Sequence, residues 1–157
     1  MNNTTPAVLS KSELSDIEQA LISRAESACE TAHAPYSKFV VGAALLLENN
    51  EIVIGSNQEN AAYPSGLCAE RVAFFTAATN FNGYKIKKVV ITAKRGEELE
   101  YIGVSPCGSC RQVMLEYEEK QAHNIEIIFE TNEGWIRLPN VAILLPYGFD
   151  RKSLEKN

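Results

Sequence analysis

Two cysteines three residues apart, Cys107 and Cys110, lie in the segment 106–112 (PCGSCRQ), directly before an apolar run that is compatible with a helix. If a helix begins there, both thiols fall in its first turn, where unpaired backbone N–H groups and the positive end of the dipole favour thiolate over thiol. Cys68 stands at the start of a second helical pattern upstream. Three thiolates can fill three positions around a tetrahedral zinc ion and leave the fourth open for water, as in catalytic zinc sites.

Glu70 and two arginines are the polar residues that accompany these cysteines. Glu70 follows Cys68 by two residues, so in the first helical turn its carboxylate can face the open metal position without binding the metal, where a general acid/base belongs. Three thiolates outweigh the two positive charges of zinc. We therefore expect the two helix N-termini, together with Arg71 or Arg111, to offset the excess negative charge.

Length, composition and charge limit the function classes. A chain of 157 residues, 45% of them hydrophobic, can form one sizeable core, and we expect one domain over 1–157 with an N-terminal lead (1–10) and a charged tail (150–157). Fifteen basic against 20 acidic residues, with no dense basic patch, disfavour a nucleic-acid partner. No leader-like start and no apolar run of about 18 residues is present, so we expect a cytoplasmic protein without a membrane partner.

The pattern of apolar residues predicts the elements that position the site. Ser10 and Glu13 form a capping box that predicts a helix from Ser10 to about residue 32, with Cys29 as a buried core residue. Two further helices are predicted directly after the cysteines. The remaining predicted elements are strands at 39–47, 52–54, 88–93, 125–129 and 135–138, the first two forming a hairpin. Helices alternating with strands predict an α/β fold, and the hairpin makes its sheet mixed.

The motifs resemble those of a known family. Residues 68–71 (CAER) and 106–112 (PCGSCRQ) are similar to the zinc signature of cytidine deaminases. Residues 36–45 (YSKFVVGAAL), 57–63 (NQENAAY) and 144–149 (LLPYGF) resemble further blocks of that family in the same order. The resemblance covers about residues 33 to 149, and the lead 1–10 lies outside it. It implies a three-layer α/β/α cytidine-deaminase-like fold with a central mixed sheet of about five strands.

The resemblance also implies the chemistry, which is the mechanism known for zinc nucleobase deaminases and does not follow from spacing alone. One zinc ion per chain would be held by Cys68, Cys107 and Cys110. Glu70 would move protons from water to N3 and then to the leaving amino group, while oxygen adds at C4. Cytidine and deoxycytidine would become uridine and deoxyuridine with release of ammonia, a reaction of pyrimidine salvage.

For substrate binding, the resemblance implies contacts to the sugar, the base edge and the base face. The residues concerned are Phe39, Asn57, Glu59, Tyr63, Ala69 and Phe149. Asn57 and Glu59 would hold the ribose 3′-hydroxyl, because an amide and a carboxylate two residues apart can both bind a hydroxyl. Phe39 would pack against the nucleoside and the backbone of Ala69 would contact the pyrimidine edge. Phe149 would stack on the base from a neighbouring subunit, and Tyr63 would also act across the interface.

Assembly is the last expectation. Phe74 and Phe75 are adjacent in a predicted helix and therefore point about 100° apart, so at least one should pack outside the core stripe of that helix. A second layer of the same domain could cover it. The resemblance implies instead a homotetramer with shared active sites, which would also bury residues 144–146.

Three other interpretations remain open on the sequence. A thioredoxin-like protein would use Cys107 and Cys110 but not Cys68 or Glu70. A structural zinc module would take Cys29 as fourth ligand and have no role for Glu70. A deaminase for another aminopyrimidine, such as blasticidin S, or for RNA would keep the same fold, although the pair Asn57 and Glu59 favours a free nucleoside. No residue is assigned to the 2′-hydroxyl, so the preference between cytidine and deoxycytidine stays open.

Overall fold

The computed structural model describes residues 6–154, which form a mixed sheet with helices on both faces. The helices are α1 (Asp16–Cys29), α2 (Ala69–Asn80) and α3 (Gly108–Gln121). The strands are β1 (Val8–Leu9), β2 (Phe39–Leu47), β3 (Ile52–Ser56), β4 (Ile86–Arg95), β5 (Glu126–Thr131) and β6 (Gly134–Leu138). Their order in the sheet is β1-β6-β5-β4-β2-β3, and β4 with β5 is the parallel pair.

Two apolar clusters show the layers. On one face of the sheet, α1 buries Leu21, Ile22 and Ala25 against side chains of β2, β4, β5 and β6. On the other face, α2 and α3 bury Phe74 and Met114 against the same strands. The α/β/α arrangement expected from the sequence is therefore confirmed. The sheet has six strands in the described residues and not about five, because β1 pairs with the edge strand β6.

The N-terminal helix was predicted too long at both ends. The Glu13 carboxylate does accept a hydrogen bond from the Ser10 backbone N–H (2.8 Å), but the turn that follows is a 3₁₀ turn, Lys11–Glu13, which ends at an extended Leu14. A second cap starts α1, where Ser15 N–H donates to Glu18 (2.9 Å). The helix ends at Cys29 and not near residue 32.

Both segments predicted as an N-terminal lead and a charged tail contain some regular secondary structure. Residues 8–9 of the lead form β1, and part of the charged tail forms a 3₁₀ turn, Arg151–Leu154. Residues 1–5 and 155–157 of those two segments lie outside the described residues. None of the helices within 6–154 is long enough and apolar enough to cross a lipid bilayer.

The fold brings the starts of α2 and α3 together. The helix α3 connects the parallel strands β4 and β5, while α2 follows the β2–β3 hairpin and lies on the same face of the sheet. The two helices meet through Phe74 and Tyr117, whose ring centres are 5.5 Å apart in an edge-to-face contact. Phe74 is fully buried, whereas its neighbour Phe75 is 39% exposed. Of these two adjacent phenylalanines, Phe74 therefore belongs to the core and Phe75 lies at the surface.

Gly55 determines how closely α2 approaches the sheet. A β-carbon built on Gly55 would lie 2.5 Å from both Ala69 O and Ala73 N, which are backbone atoms of α2. Gly42 has the same relation to α1 on the other face, where a β-carbon would lie 1.9 Å from Ala25 O. Because backbone atoms cannot move aside like a side-chain end, only glycine fits at these crossings.

We predict that Gly55→Ala destabilises the protein by about 1–3 kcal/mol, the usual cost of overpacking, and weakens metal binding by displacing the first turn of α2. Denaturant unfolding and zinc content after dialysis measure the two effects. Gly108→Ala is the matched control, because a β-carbon there meets nothing within 4 Å although the residue lies between two of the cysteines. Equal behaviour of the two variants would contradict this role of Gly55.

Candidate active site

Three cysteine sulfurs converge where α2 and α3 begin. Cys68 is the N-cap of α2, Cys107 is the N-cap of α3, and Cys110 lies in the first turn of α3. Their Sγ atoms all lie within 4.8 Å of one another; Cys68 to Cys107 is 3.8 Å and Cys107 to Cys110 is 3.5 Å. The structure thus brings together the three cysteines that the sequence singled out.

These distances fit a zinc ion. With Zn–S bonds of about 2.3 Å, the sulfurs of a tetrahedral site lie about 3.8 Å apart. Both helix N-termini direct their positive ends toward the cluster, which favours the thiolate forms that a metal needs. Cys29 is buried elsewhere and does not belong to the cluster, and neither His33 nor His123 joins it. Among the described residues, this is the group of cysteine, histidine and acidic side chains that could hold a metal.

Of the two arginines considered from the sequence, Arg71 contacts a sulfur. Its Nη2 atom lies 3.7 Å from Cys68 Sγ and 3.5 Å from the carbonyl of Gly66. Arg111 instead donates to backbone carbonyls, from Nε to Pro106 O (2.8 Å) and from Nη1 to Leu144 O (3.1 Å). The guanidinium next to the thiols is therefore that of Arg71.

The cluster stabilises negative charge on one sulfur. The pKa of the Cys68 thiol is lowered to about 5, chiefly by a hydrogen bond from Cys110 and further by Arg71, against the opposing effect of burial. The pKa of Cys110 is raised, because its proton is held in that hydrogen bond and because the side chain is buried. The surroundings of Cys68 therefore favour its thiolate form, which is the form that binds a metal.

Glu70 places a carboxyl group beside the sulfurs. The residue lies in the first turn of α2 and is 4% exposed, yet it lines the cavity next to Cys68 and Cys107. Burial raises the pKa of its carboxyl group, and the nearby Cys68 adds to that shift. A group that holds a proton more readily than an ordinary glutamate is suited to passing protons near neutral pH.

The cavity above the cluster has a volume of about 650 Å³, which suits a small organic molecule. Its floor is formed by Cys68, Cys107 and Glu70, with Arg71 beside them. Its walls include Phe39, Asn57, Glu59 and Tyr63 from the predicted substrate-binding set. Other wall residues had not been singled out from the sequence: Ser37, Val41, Ile91, Val104 and Ser105.

Asn57 and Glu59 both hold the segment that carries Phe39. Asn57 accepts a hydrogen bond from Val41 N–H (2.8 Å) and donates one to Phe39 O (2.8 Å). The Glu59 carboxylate accepts from the backbone N–H groups of Tyr36 (3.0 Å) and Ser37 (3.2 Å) and from the Ser37 hydroxyl. These bonds lower the pKa of Glu59, led by that from the Ser37 hydroxyl. The wall is thereby fixed around an ionised carboxylate.

The other three predicted contact residues occupy different positions. Ala69 is fully buried at the start of α2. Tyr63 is 75% exposed at the mouth of the cavity, with its ring centre 6.0 Å from that of Tyr36. Phe149 is 59% exposed and lies against α3, where its carbonyl accepts a hydrogen bond from Gln112 (2.7 Å). Within the described chain, Phe149 does not line the cavity that holds Glu70.

A cluster of three cysteines with one side open to a cavity differs from a structural zinc site, whose ligands close around the ion. The open side and the adjacent protonatable carboxyl group place the protein in the class of metal-dependent hydrolases that act on small molecules. The chain belongs to the cytidine deaminase family: residues 15–124 match the family model described as the cytidine and deoxycytidylate deaminase zinc-binding region. That model covers both cysteine motifs, and its zinc-binding character agrees with the expected zinc cofactor.

Individual relatives agree with this assignment over most of their length. The chain is 41% identical to a cytidine deaminase of Sporosarcina psychrophila over 141 residues, which cover 88% of this chain and 95% of that protein. It is 35% identical to a cytidine deaminase of Halalkalibacterium halodurans over 136 residues, covering 87% and 96%. The crystal structure of cytidine deaminase from Burkholderia pseudomallei superposes with a TM-score of 0.71 at 33% identity, covering 87% of this chain and 100% of that one.

Proposed function

We propose that this protein is a zinc-dependent cytidine deaminase that converts cytidine and deoxycytidine, with water, to uridine and deoxyuridine and ammonia. The observation that carries the proposal is the position of Glu70, a buried carboxyl group next to three convergent thiols on the floor of an open cavity. Membership of the deaminase family supports the same conclusion. A redox role does not account for Cys68 or Glu70, and a closed structural site does not account for the cavity.

Cys68, Cys107 and Cys110 would hold one zinc ion per chain, which when bound supplies Lewis-acid activation of the hydrolytic water. Glu70 accepts a proton from that water and delivers it to N3 of the pyrimidine, as oxygen adds to C4. Glu70 then transfers the second proton to the amino group, which leaves as ammonia while the C4 carbonyl forms. Arg71 stabilises the negative charge on the Cys68 sulfur and so offsets part of the excess negative charge of the three thiolates.

The sugar site can be argued from unused hydrogen-bonding capacity. The Glu59 carboxylate offers about four acceptor positions, and three of them are occupied by Tyr36 and Ser37. The Asn57 amide has two N–H groups, of which one donates to Phe39 O. Glu59 thus keeps one acceptor position and Asn57 keeps one N–H donor, which together can bind a single sugar hydroxyl. Phe39 would pack on the nucleoside above them. The backbone of Ala69 would contact the pyrimidine edge.

This sugar site predicts which substrates react. Cytidine and deoxycytidine should both be deaminated, because both carry the 3′-hydroxyl that Asn57 and Glu59 are proposed to bind. Cytosine should react poorly because it lacks the sugar, and cytidine 5′-monophosphate should react poorly because a phosphate adds negative charge near the ionised Glu59. Ammonia release from these four compounds, measured under the same conditions, provides the test. Preference for free cytosine or for the monophosphate would contradict the proposed site.

We propose further that the active protein is a homotetramer in which Phe149 and Tyr63 contribute to the site of a neighbouring chain. The support is that Phe75 (39%), Phe149 (59%) and Tyr63 (75%) are among the aromatic side chains that are solvent-exposed in the isolated chain, and that Phe149 lies away from the cavity of its own chain. Light scattering on dilute, active protein should give the mass of four chains. Full activity in a monomer would contradict shared sites.

The proposal also covers the cellular location, the domain organisation and the partners of the protein. The cysteines are free, and the site requires them reduced, which supports a cytoplasmic location. One domain over residues 1–157 is supported by the continuous sheet that joins β1 to β6. The proposed partner is a nucleoside, and neither nucleic acid nor membrane has a role in the reaction.

A further inference from the structure

The helix α3 has a second role besides carrying Cys107 and Cys110: one of its sides holds residues 141–149, the segment that ends in Phe149. Four α3 side chains make the contacts, namely Arg111, Gln112, Leu115 and Glu118. Three of them, at positions 111, 115 and 118, recur at the spacing of one helical face. The helix α3 therefore connects the cysteine cluster with the C-terminal segment 141–149.

The far end of the segment is held by a buried carboxylate. Glu118 is 7% exposed and accepts hydrogen bonds from Val141 N–H (2.8 Å), Ala142 N–H (3.3 Å) and Ile125 N–H (2.8 Å). A carboxylate that accepts several backbone N–H bonds in a buried position ties these parts of the chain together. This end of the segment is fixed by the core.

The middle of the segment is fixed by packing and by Arg111. Arg111 joins Leu144 O to Pro106 O, one residue before the cysteine motif. A β-carbon built on Gly148 would lie 2.9 Å from Leu115 Cδ2, so the chain passes directly over α3 there. Tyr147, just before it, has φ of 57°, which turns the backbone sharply. The segment therefore reaches Phe149 along one defined path.

At Phe149, the hydrogen bond that Gln112 donates to its carbonyl (2.7 Å) is the polar contact to α3. It fixes the peptide plane after the Phe149 Cα atom and hence the position of the backbone from which the exposed ring projects. Gln112 lies only two residues after Cys110 in α3. The same part of the helix therefore carries a thiol of the cysteine cluster and contacts the backbone of Phe149.

We propose that Gln112 is a positioning residue for the site of a neighbouring chain, because it directs the Phe149 ring that completes that site. This inference rests on the proposed deaminase with shared sites. It makes α3 a physical link between two active sites. The first turn of α3 would hold the metal of its own chain, and Gln112 in the next turn positions the Phe149 of the same chain, whose ring stacks on the base in the neighbouring site. Loss of the Gln112 donor should weaken nucleoside binding without affecting zinc binding.

The test uses mixed assemblies of two inactive chains. One chain carries Phe149→Ala and keeps Glu70; the other carries Glu70→Gln and keeps Phe149. Co-expressed with different tags and purified as mixed assemblies, they should regain activity, because Glu70 of the first chain meets Phe149 of the second. Adding Gln112→Met to the Glu70→Gln chain should then raise KM about three- to tenfold, the effect of one lost hydrogen bond, with kcat little changed. Adding it to the Phe149→Ala chain should have no effect.

Several controls make the result decisive. Gln112→Met keeps the side-chain length but removes the donor, and Gln112→Glu should reproduce the effect. Glu116→Gln, an exposed position on the same helix, should not change KM. Zinc content and the mass of the assembly exclude misfolding, and calorimetric binding of uridine should weaken by the same factor as KM rises. An equal effect of Gln112→Met in both chains, an effect only in the Phe149→Ala chain, or none at all would overturn the proposal.

The remaining outcomes separate this inference from the proposed function. If the wild-type protein deaminates cytidine but the mixed assemblies regain no activity, or if Phe149→Ala alone is fully active, Phe149 does not complete a neighbouring site and the role of Gln112 is wrong, while the deaminase assignment stands. If the wild-type protein binds zinc without deaminating cytidine, the proposed function fails and this inference fails with it.

Discussion

Glu70→Gln is expected to lower turnover of cytidine by about 10²- to 10⁴-fold, the usual contribution of a positioned general acid/base. Glutamine has nearly the same shape, so the buried start of α2 should remain intact around residue 70, which is 4% exposed. The amide cannot accept the proton from water and pass it to N3. Steady-state kinetics on protein of known zinc content measures the loss.

The loss must appear in turnover and not in binding. Zinc content and calorimetric affinity for uridine should stay close to those of the wild-type protein, because the three cysteines and the sugar site are unchanged. Near-normal turnover in a zinc-loaded Glu70→Gln protein would exclude Glu70 as the group that moves the protons. A variant without zinc would show that Glu70 supports the metal site in addition to the reaction.

Cys107→Ser is expected to abolish stable zinc binding and, with it, deamination. We expect an affinity loss larger than the roughly 10- to 100-fold that follows from changing an outer partner of a metal ligand. Cys107 is an exposed N-cap residue of α3, and serine is itself a preferred N-cap. The start of the helix should therefore survive the change, so that loss of metal is not confused with unfolding. Zinc content after dialysis against a weak chelator is the measurement.

Cys29→Ala is the matched control for that experiment. Cys29 is buried at the end of α1, and burial raises the pKa of its thiol to about 11, so it stays protonated at neutral pH. The variant should keep one zinc ion per chain. Loss of zinc from Cys29→Ala, or retention of zinc by Cys107→Ser, would contradict a site made of Cys68, Cys107 and Cys110.

Local patterns predicted much of this fold. The apolar run at 39–47 is a strand with those same bounds, and both helices after the cysteine motifs begin where the motifs indicate. The strand Val8–Leu9 was missed, because a two-residue strand has no period of its own and exists through its pairing with β6. The start of α1 was misplaced because Ser10 with Glu13 and Ser15 with Glu18 both have the spacing of a capping box.

The site was predictable to the extent that residue type carries chemistry. Cysteine spacing and Glu70 indicated a catalytic metal centre, and the motifs supplied the substrate-binding residues that we propose. What sequence could not resolve depends on tertiary contacts: Arg71 rather than Arg111 lies beside a thiol, and Ser37 fixes the Glu59 carboxylate. Gln112 has no distinguishing feature in the sequence. Its contact with Phe149 depends on the fold, because the two residues are 37 positions apart in the chain.

The most direct test of a single zinc-dependent deaminating site is a zinc titration of chelator-stripped protein, with ammonia release from cytidine as the readout. We predict no activity without metal, then a rise in proportion to added zinc that stops at one ion per chain, with zinc-loaded Glu70→Gln remaining at least about 100-fold less active throughout. Deamination by the metal-free protein, or full zinc loading of the wild-type chain without ammonia release, would contradict the account.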